Sequence, residues 1–320
     1  MTRLRRPLQL TAAILACAVV AGAALAATAD ERDAIAATRE LTLRVDGTER
    51  SYRLHVGRGV DAARAVPLLL VFHGGGGTPQ QIERESRFSE LADRQGFVVA
   101  YPAGHRRSWN DGRGADAVAA QRDGVDDVAF VAALIEAVAA QTRVDEKRVY
   151  ATGISNGAMF SHRVAVALAP RIAAIAPVAG GLPKPLLASF QPQAPVSVLL
   201  VHGTLDPLVP YAGGEVRVLA SARGEVVGAE ESAQRWAAHD GCDATPRVEP
   251  ADGGGDCVAT RLTYTDCARG TGVALLKLDG GGHTWPGGSQ YLPQRLVGKV
   301  CRNVDGAALI WNFFQQHPKP

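Results

Sequence analysis

Arg148-Val149-Tyr150-Ala151-Thr152-Gly153-Ile154-Ser155-Asn156-Gly157 is the stretch on which the reading of this chain turns. It opens as a short apolar run and closes as Gly-x-Ser-x-Gly. A helical pattern from Asn156 to Leu168 follows. Glycines on both sides of Ser155 let the backbone turn sharply enough to hold that serine strained, with its hydroxyl exposed at the top of a strand. The chain has 35 glycines, so the bare pattern is modest in itself. The strand before it and the helix after it give it meaning.

Outward from this turn the same rhythm repeats. Continuous apolar runs occur at 67–72, 97–101, 148–151, 172–179, 196–201 and 273–278, each ending in glycine or a loop signal. Runs without alternation suit strands buried on both faces of a parallel sheet. Helical stretches lie between them. Residues 126–141 set Val128, Val131, Leu134, Ile135 and Val138 on one stripe behind an acidic start, and 229–239 and 305–316 read similarly. Ahead of these runs, Leu41, Leu43 and Val45 alternate up to Asp46-Gly47, and Tyr52, Leu54 and Val56 alternate after it, which predicts an antiparallel hairpin. The expectation is therefore an α/β fold: a mostly parallel, doubly wound sheet with an N-terminal antiparallel hairpin, in a single domain over 27–320. The proline-rich stretch 180–195 reads as a loop or cap over the end of the sheet.

A serine is inert without a base, and the base needs a carboxylate to orient it. Leu199-Leu200-Val201-His202-Gly203-Thr204-Leu205-Asp206 ends one buried run in an acid, and Leu276-Lys277-Leu278-Asp279-Gly280-Gly281-Gly282-His283 ends another in a histidine. The chain order Ser155, Asp206, His283 is that of an α/β-hydrolase triad, each member following a strand. Asp279 is the rival acid, although it shares the histidine's own strand. Phe72-His73-Gly74-Gly75-Gly76-Gly77 follows a further run. Its free N–H groups suit a developing oxyanion; we assign this donor to Gly75 and its partner to Asn156, the residue after the serine. His73 is read as holding the loop. No Gly-Lys-Ser/Thr follows these glycines, which excludes a phosphate loop.

The first 26 residues read as a cleaved signal peptide: Arg3, Arg5 and Arg6, an apolar run, and Ala24-Leu25-Ala26 as the cleavage site. The formal charge is +2, and removing those three arginines leaves 31 basic against 32 acidic residues. Such balance leaves no electrostatic footprint for nucleic acid or an anionic membrane. With Cys17 removed, Cys242, Cys257, Cys267 and Cys301 remain. An even number in an exported chain points to disulfides, with three connectivities open, and the spacings do not suit zinc. The expected location is secreted or periplasmic.

The chain resembles the esterase family that contains polyhydroxybutyrate depolymerases and bacterial feruloyl and acetylxylan esterases, within the α/β-hydrolase fold. The resemblance runs over about residues 40 to 317. It rests on His73-Gly-Gly-Gly-Gly, Ser108-Trp109-Asn110, Val125-Asp126-Asp127-Val128, Gly153-Ile154-Ser155-Asn156-Gly157, His202-Gly203-Thr204-x-Asp206 and Gly281-Gly282-His283-Thr284-Trp285-Pro286-Gly287. One departure is Ala158, where relatives commonly have glycine. The resemblance implies that Ser155, Asp206 and His283 form the triad and that Cys242 pairs with Cys267, which leaves Cys257 and Cys301 for each other. It implies ester hydrolysis through an acyl-enzyme, with no metal and no organic cofactor, and the lack of a second stretch rich in aromatic or Thr/Ser residues to bind solid polymer sets the expectation at small or oligomeric esters. Trp109 and Trp285 are the expected substrate-binding walls, while Arg106 and Arg107 read as a solvated loop. An acyltransferase or peptidase on the same triad is the alternative.

Overall fold

The computed structural model describes residues 37–61, 63–251 and 255–320. The expected signal peptide at 1–26 lies outside the described residues. Twelve strands are described: β1 (Arg39–Val45), β2 (Thr48–Val56), β3 (Val66–Phe72), β4 (Val98–Pro102), β5 (Val144–Ile154), β6 (Ala174–Val178), β7 (Ser197–Gly203), β8 (Gly213–Val218), β9 (Ser221–Val227), β10 (Arg247–Pro250), β11 (Val258–Tyr264) and β12 (Val273–Asp279). Ten of them form one sheet in the order β1-β2-β4-β3-β5-β6-β7-β12-β11-β10, and β8 and β9 pair separately. The six strands from β4 to β12 run parallel to their neighbours. The chain leaves β3 for β4 on one side and β5 on the other, so the strand order reverses between β3 and β5. Ligand sites of open α/β sheets lie beyond the strand ends at such a reversal.

All six apolar runs are strands, and every residue of β3, β4, β6 and β7 is buried. Their period of two feeds both faces. Leu68, Leu70 and Phe72 of β3 meet one helical layer, and Leu69 and Val71 meet the other. The first layer holds α3 (Asp127–Ala139), α4 (Asn156–Ala167) and α5 (Ala229–His239), and the second holds α1 (Pro79–Ser86), α2 (Phe88–Gln95) and α6 (Gly306–Gln316). Asp126 caps α3 by accepting from the Ala129 amide, and Asp305 caps α6 by accepting from Ala308. The hairpin of β1 and β2 is antiparallel as expected, with Val45 opposite Thr48. Among the described residues no helix is long and apolar enough to cross a membrane.

Three features differ from the sequence expectation. Strands β10 and β11 extend the sheet antiparallel beyond β12. Their residues are largely exposed or half-buried, so no continuous apolar run announces them. Second, α1 and α2 bury short apolar stripes between charged residues. Third, the proline-rich stretch, read as a loop or cap over the end of the sheet, is also tied to β9 and α5: Val227 N donates to Leu182 O at 2.9 Å, and Phe190 meets Trp236 edge-on.

Candidate active site

Ser155 sits between the end of β5 and the first residue of α4 with φ 59° and ψ −121°. A non-glycine residue at positive φ costs free energy, and a turn held this way commonly serves a reaction. Its amide donates to Val178 O at 3.0 Å, which ties the turn to the neighbouring strand. Close packing of β3 on β5 sets Phe72 opposite Gly153, so His73-Gly74-Gly75 emerges beside the serine. A Cβ built on Gly74 would lie 3.5 Å from the Ser155 Cβ, and one on Gly75 would lie 3.7 Å from the Asn156 Cβ.

The amides of this loop divide into two sets. Gly76 donates to Arg107 O at 2.7 Å and Gly77 to Gly74 O at 2.9 Å. Those of Gly74 and Gly75 have no such acceptor among the described residues. The Asn156 amide is the first of α4, where helix N–H groups are unspent and the dipole is positive. His73 locks the loop from beneath. Its Nδ1 donates to Gly74 O at 2.8 Å and its Nε2 accepts from the Gly104 amide at 3.0 Å. Burial pushes its pKa down to about 4, so it stands neutral.

His283 and Asp206 meet behind the serine. His283 Nδ1 lies 2.7 Å from Asp206 Oδ2. The carboxylate is buried, yet Oδ1 accepts from the amides of Leu208 and Val209, both at 2.9 Å. His202 Nε2 lies 3.3 Å from Oδ2 and 3.0 Å from Val209 O. Burial alone would raise the Asp206 pKa, but the charge and hydrogen bonds of His283 and His202 hold it well below the ordinary carboxylate value. Asp279 is half-exposed and has Lys277 as its ion-pair partner at 3.7 Å. The turn carrying His283 is clamped by the segment after Leu296. Gly282 N donates to Lys299 O at 2.9 Å, His283 N donates to Val297 O, and Tyr291 Oη donates to His283 O at 3.1 Å.

Ser155, His283, Asn156 and Gly74–Gly77 line one cavity of about 550 Å³. Ile82 of α1, Leu208, Val216 and Val218 of the β8–β9 hairpin, and Leu292 give it apolar walls. A strained hydroxyl, an imidazole fixed by a carboxylate and a loop of free amides can together carry acyl transfer.

Comparison with known proteins gives the lineage. The family model described as Esterase PHB depolymerase matches residues 50–183. NocK of Nocardia uniformis subsp. tsuyamanensis, a candidate esterase, is 33% identical over 293 residues, covering 88% of this chain and 83% of NocK. The chain belongs to this esterase family. Feruloyl esterase B of Piromyces equi is 31% identical over 231 residues, which span 70% of this chain and 41% of that longer protein. The acetyl xylan esterase from Aspergillus awamori shares the fold, with a TM-score of 0.60 at 14% identity over 87% of this chain and 99% of that one.

Both tryptophans of this esterase require correction as substrate-binding walls. Trp109 is fully buried and absent from the cavity lining. Its ring stacks on Phe160 with centroids 5.0 Å apart, and its Nε1 donates to His73 O at 2.9 Å. Its amide donates to Asn156 Oδ1 at 2.8 Å and its carbonyl accepts from Asn156 Nδ2 at 3.0 Å. It therefore fixes the glycine loop after β3 against α4. Trp285 is also buried, edge-on to Phe88, because the turn at Pro286-Gly287 folds inward beside α6.

Other family motifs place support around the site. Asp111, unread from the sequence although it follows Ser108-Trp109-Asn110, accepts from Asn156 Nδ2 at 2.6 Å and pairs with buried Arg113 at 2.8 Å. Asp127 accepts from the Asn110 amide and pairs with Arg50 at 2.6 Å. Ala158 packs where a Cβ on Gly180 would come within 2.7 Å, so the glycine opposite makes room for this departure. Both disulfides follow the expected pairing, Cys242–Cys267 and Cys257–Cys301.

Proposed function

We propose that this esterase is an exported serine hydrolase that cleaves small or oligomeric carboxylic esters through Ser155, His283 and Asp206. The observation that carries the reading is the meeting at one cavity of the strained Ser155 turn, the His283–Asp206 hydrogen bond and the free amides of the loop after β3. His283 Nδ1 holds its proton toward Asp206, which leaves Nε2 to take the Ser155 proton as Oγ attacks the ester carbonyl. The amides of Gly75 and Asn156 stabilise the oxyanion. Collapse expels the alcohol, which receives the proton from His283. Water, deprotonated by the same imidazole, then attacks the acyl-enzyme and releases the acid. Export is supported by the signal-like first 26 residues and by two disulfides, which persist in oxidising compartments.

The test is hydrolysis of a chain-length series of 4-nitrophenyl esters, methyl ferulate and a soluble hydroxybutyrate trimer by wild type and Ser155→Ala. The variant should lose about 10⁴-fold or more in turnover. Activity that survives in Ser155→Ala would overturn the reading. Folded wild type that transfers acyl groups to an added alcohol without hydrolysing them would favour the transferase instead.

A further inference from the structure

The cavity lining carries charged groups of both signs. Arg106, Arg107, Arg113 and Arg223 line it together with Val118, Val216 and Val218, and Arg106 faces Asp123 at 3.9 Å. Arg113 is spent on Asp111, and its Nη1 also donates to Arg223 O at 2.7 Å. Arg223 itself has no carboxylate partner among the described residues, and its Nε is buried without a hydrogen-bond partner there. Arg107 stands at the rim with its Nε donating to Gly77 O at 3.3 Å, again with no described carboxylate. Gln81, Glu85 and Tyr291 also line the cavity. Gln81 Nε2 donates to Glu85 at 2.9 Å, and Tyr291 is bonded to the His283 carbonyl. The lining of the nucleophile's cavity thus includes a guanidinium, that of Arg223, with no described carboxylate partner.

The Arg223 Nε is enclosed by protein, so a ligand in the cavity would meet the terminal Nη pair of Arg223. The planar fork of arginine matches a carboxylate bidentately. The β8–β9 hairpin is rigidly placed for this purpose. Val216 and Val226 pack on Met159 and Val209, and a Cβ on Gly224 would come within 2.9 Å of the Arg113 Cβ. Arg223 is thus presented by a braced backbone. We propose that this subsite takes a carboxylate on the substrate, so that the preferred esters are anionic ones with a free carboxylate held by Arg223. The inference rests on the esterase reading and names its substrate class.

The test compares two pairs of esters. Acetoxybenzoate (para) is set against its methyl ester, which places the anion on the leaving side. The 4-nitrophenyl half-ester of adipic acid is set against the same ester capped with methyl, which places it on the acyl side. Each kcat/KM is normalised to that compound's hydroxide rate. In one pair the anionic ester should exceed its capped partner by about 10- to 100-fold, the worth of a charge-assisted contact. The ratio should fall to near one in Arg223→Gln and lie between these values in Arg223→Lys, which keeps charge without the fork. Ratios near one in both pairs for wild type would overturn the proposal, as would a preference that Arg223→Gln leaves intact. Capped-ester hydrolysis lost in Ser155→Ala would keep the esterase reading standing in either event.

Discussion

A single methyl at Gly157 should separate this site's geometry from its stability. A Cβ built there would meet the Phe72 carbonyl oxygen, come within 2.6 Å of His73 O and within 2.8 Å of Phe72 C. Ordinary carbon contacts begin near about 3.5 Å, so α4 and the end of β3 must part by roughly 1 Å. Both oxyanion amides ride on the parts that move, Asn156 on α4 and Gly75 on the loop after β3. Misplacement on this scale costs about 10²-fold in rate, comparable with loss of one oxyanion donor. Overpacking should cost about 1–3 kcal/mol of stability. The assay is kcat on 4-nitrophenyl butyrate for Gly157→Ala, with urea unfolding alongside. Ala158→Gly is the control, since it loses about 1 kcal/mol of helix propensity without pressing on either carbonyl. Gly157→Ala should lose about 10²-fold in kcat while the control stays within a few-fold. If Gly157→Ala is destabilised but turns over like the control, the close approach of β3 to α4 does not position the oxyanion amides.

Other consequences can be measured independently. Asp206→Asn should lower kcat by about 10⁴-fold with little change in unfolding temperature, because the amide sets the wrong imidazole tautomer; equal loss in Asp279→Asn would reassign the acid. His162 is buried with its Nδ1 accepting from Trp236 Nε1 at 3.0 Å, and burial pushes its pKa down to about 3. The unfolded chain takes that proton near pH 6.5 and the folded one only near 3, so stability falls as pH drops between them, by about 1.4 kcal/mol per unit. Urea titrations of His162→Asn between pH 6 and 4.5 should show a slope shallower than wild type by that amount, and an unchanged slope would refute it. Removing Cys257–Cys301, which spans 44 residues, should cost about 4 kcal/mol. A Cβ on Gly281 would lie 2.8 Å from Cys301 Sγ, so this bridge sits against the His283 turn. Activity of Cys257→Ser/Cys301→Ser should therefore fade at a lower temperature than its circular dichroism melt, whereas Cys242→Ser/Cys267→Ser should lose both together.

Much of the scaffold was legible because its signals are local and repeated. Each buried parallel strand is a continuous apolar run, and the elements that carry Ser155, Asp206 and His283 each follow one. The hairpin before them shows alternation about Asp46-Gly47. The antiparallel strands at the far edge escaped because β10 is exposed and Arg261 and Thr263 keep β11 half-polar, and pairing of β11 with β12 and of β10 with β11, rather than burial, holds them. The cavity walls were hidden for a different reason. Val216, Val218 and Arg223 lie on a short polar hairpin whose relation to Ser155 is made entirely in three dimensions. The tryptophans misled in the opposite sense: Trp109 is near the site in sequence motif and in space, but its three polar groups are used inward, on His73 and Asn156. A large aromatic with its N–H and backbone both satisfied by the loops it joins is a brace rather than a wall.

The central claim is that Ser155 is the nucleophile that His283 activates, and the most direct measurement is intact-protein mass with peptide mapping after treatment with a serine-directed phosphonate. One adduct should form, on Ser155, in step with loss of esterase activity; it should be absent from Ser155→Ala and form far more slowly in His283→Ala. Labelling of another residue in step with inactivation, or full activity with Ser155 labelled, would contradict it.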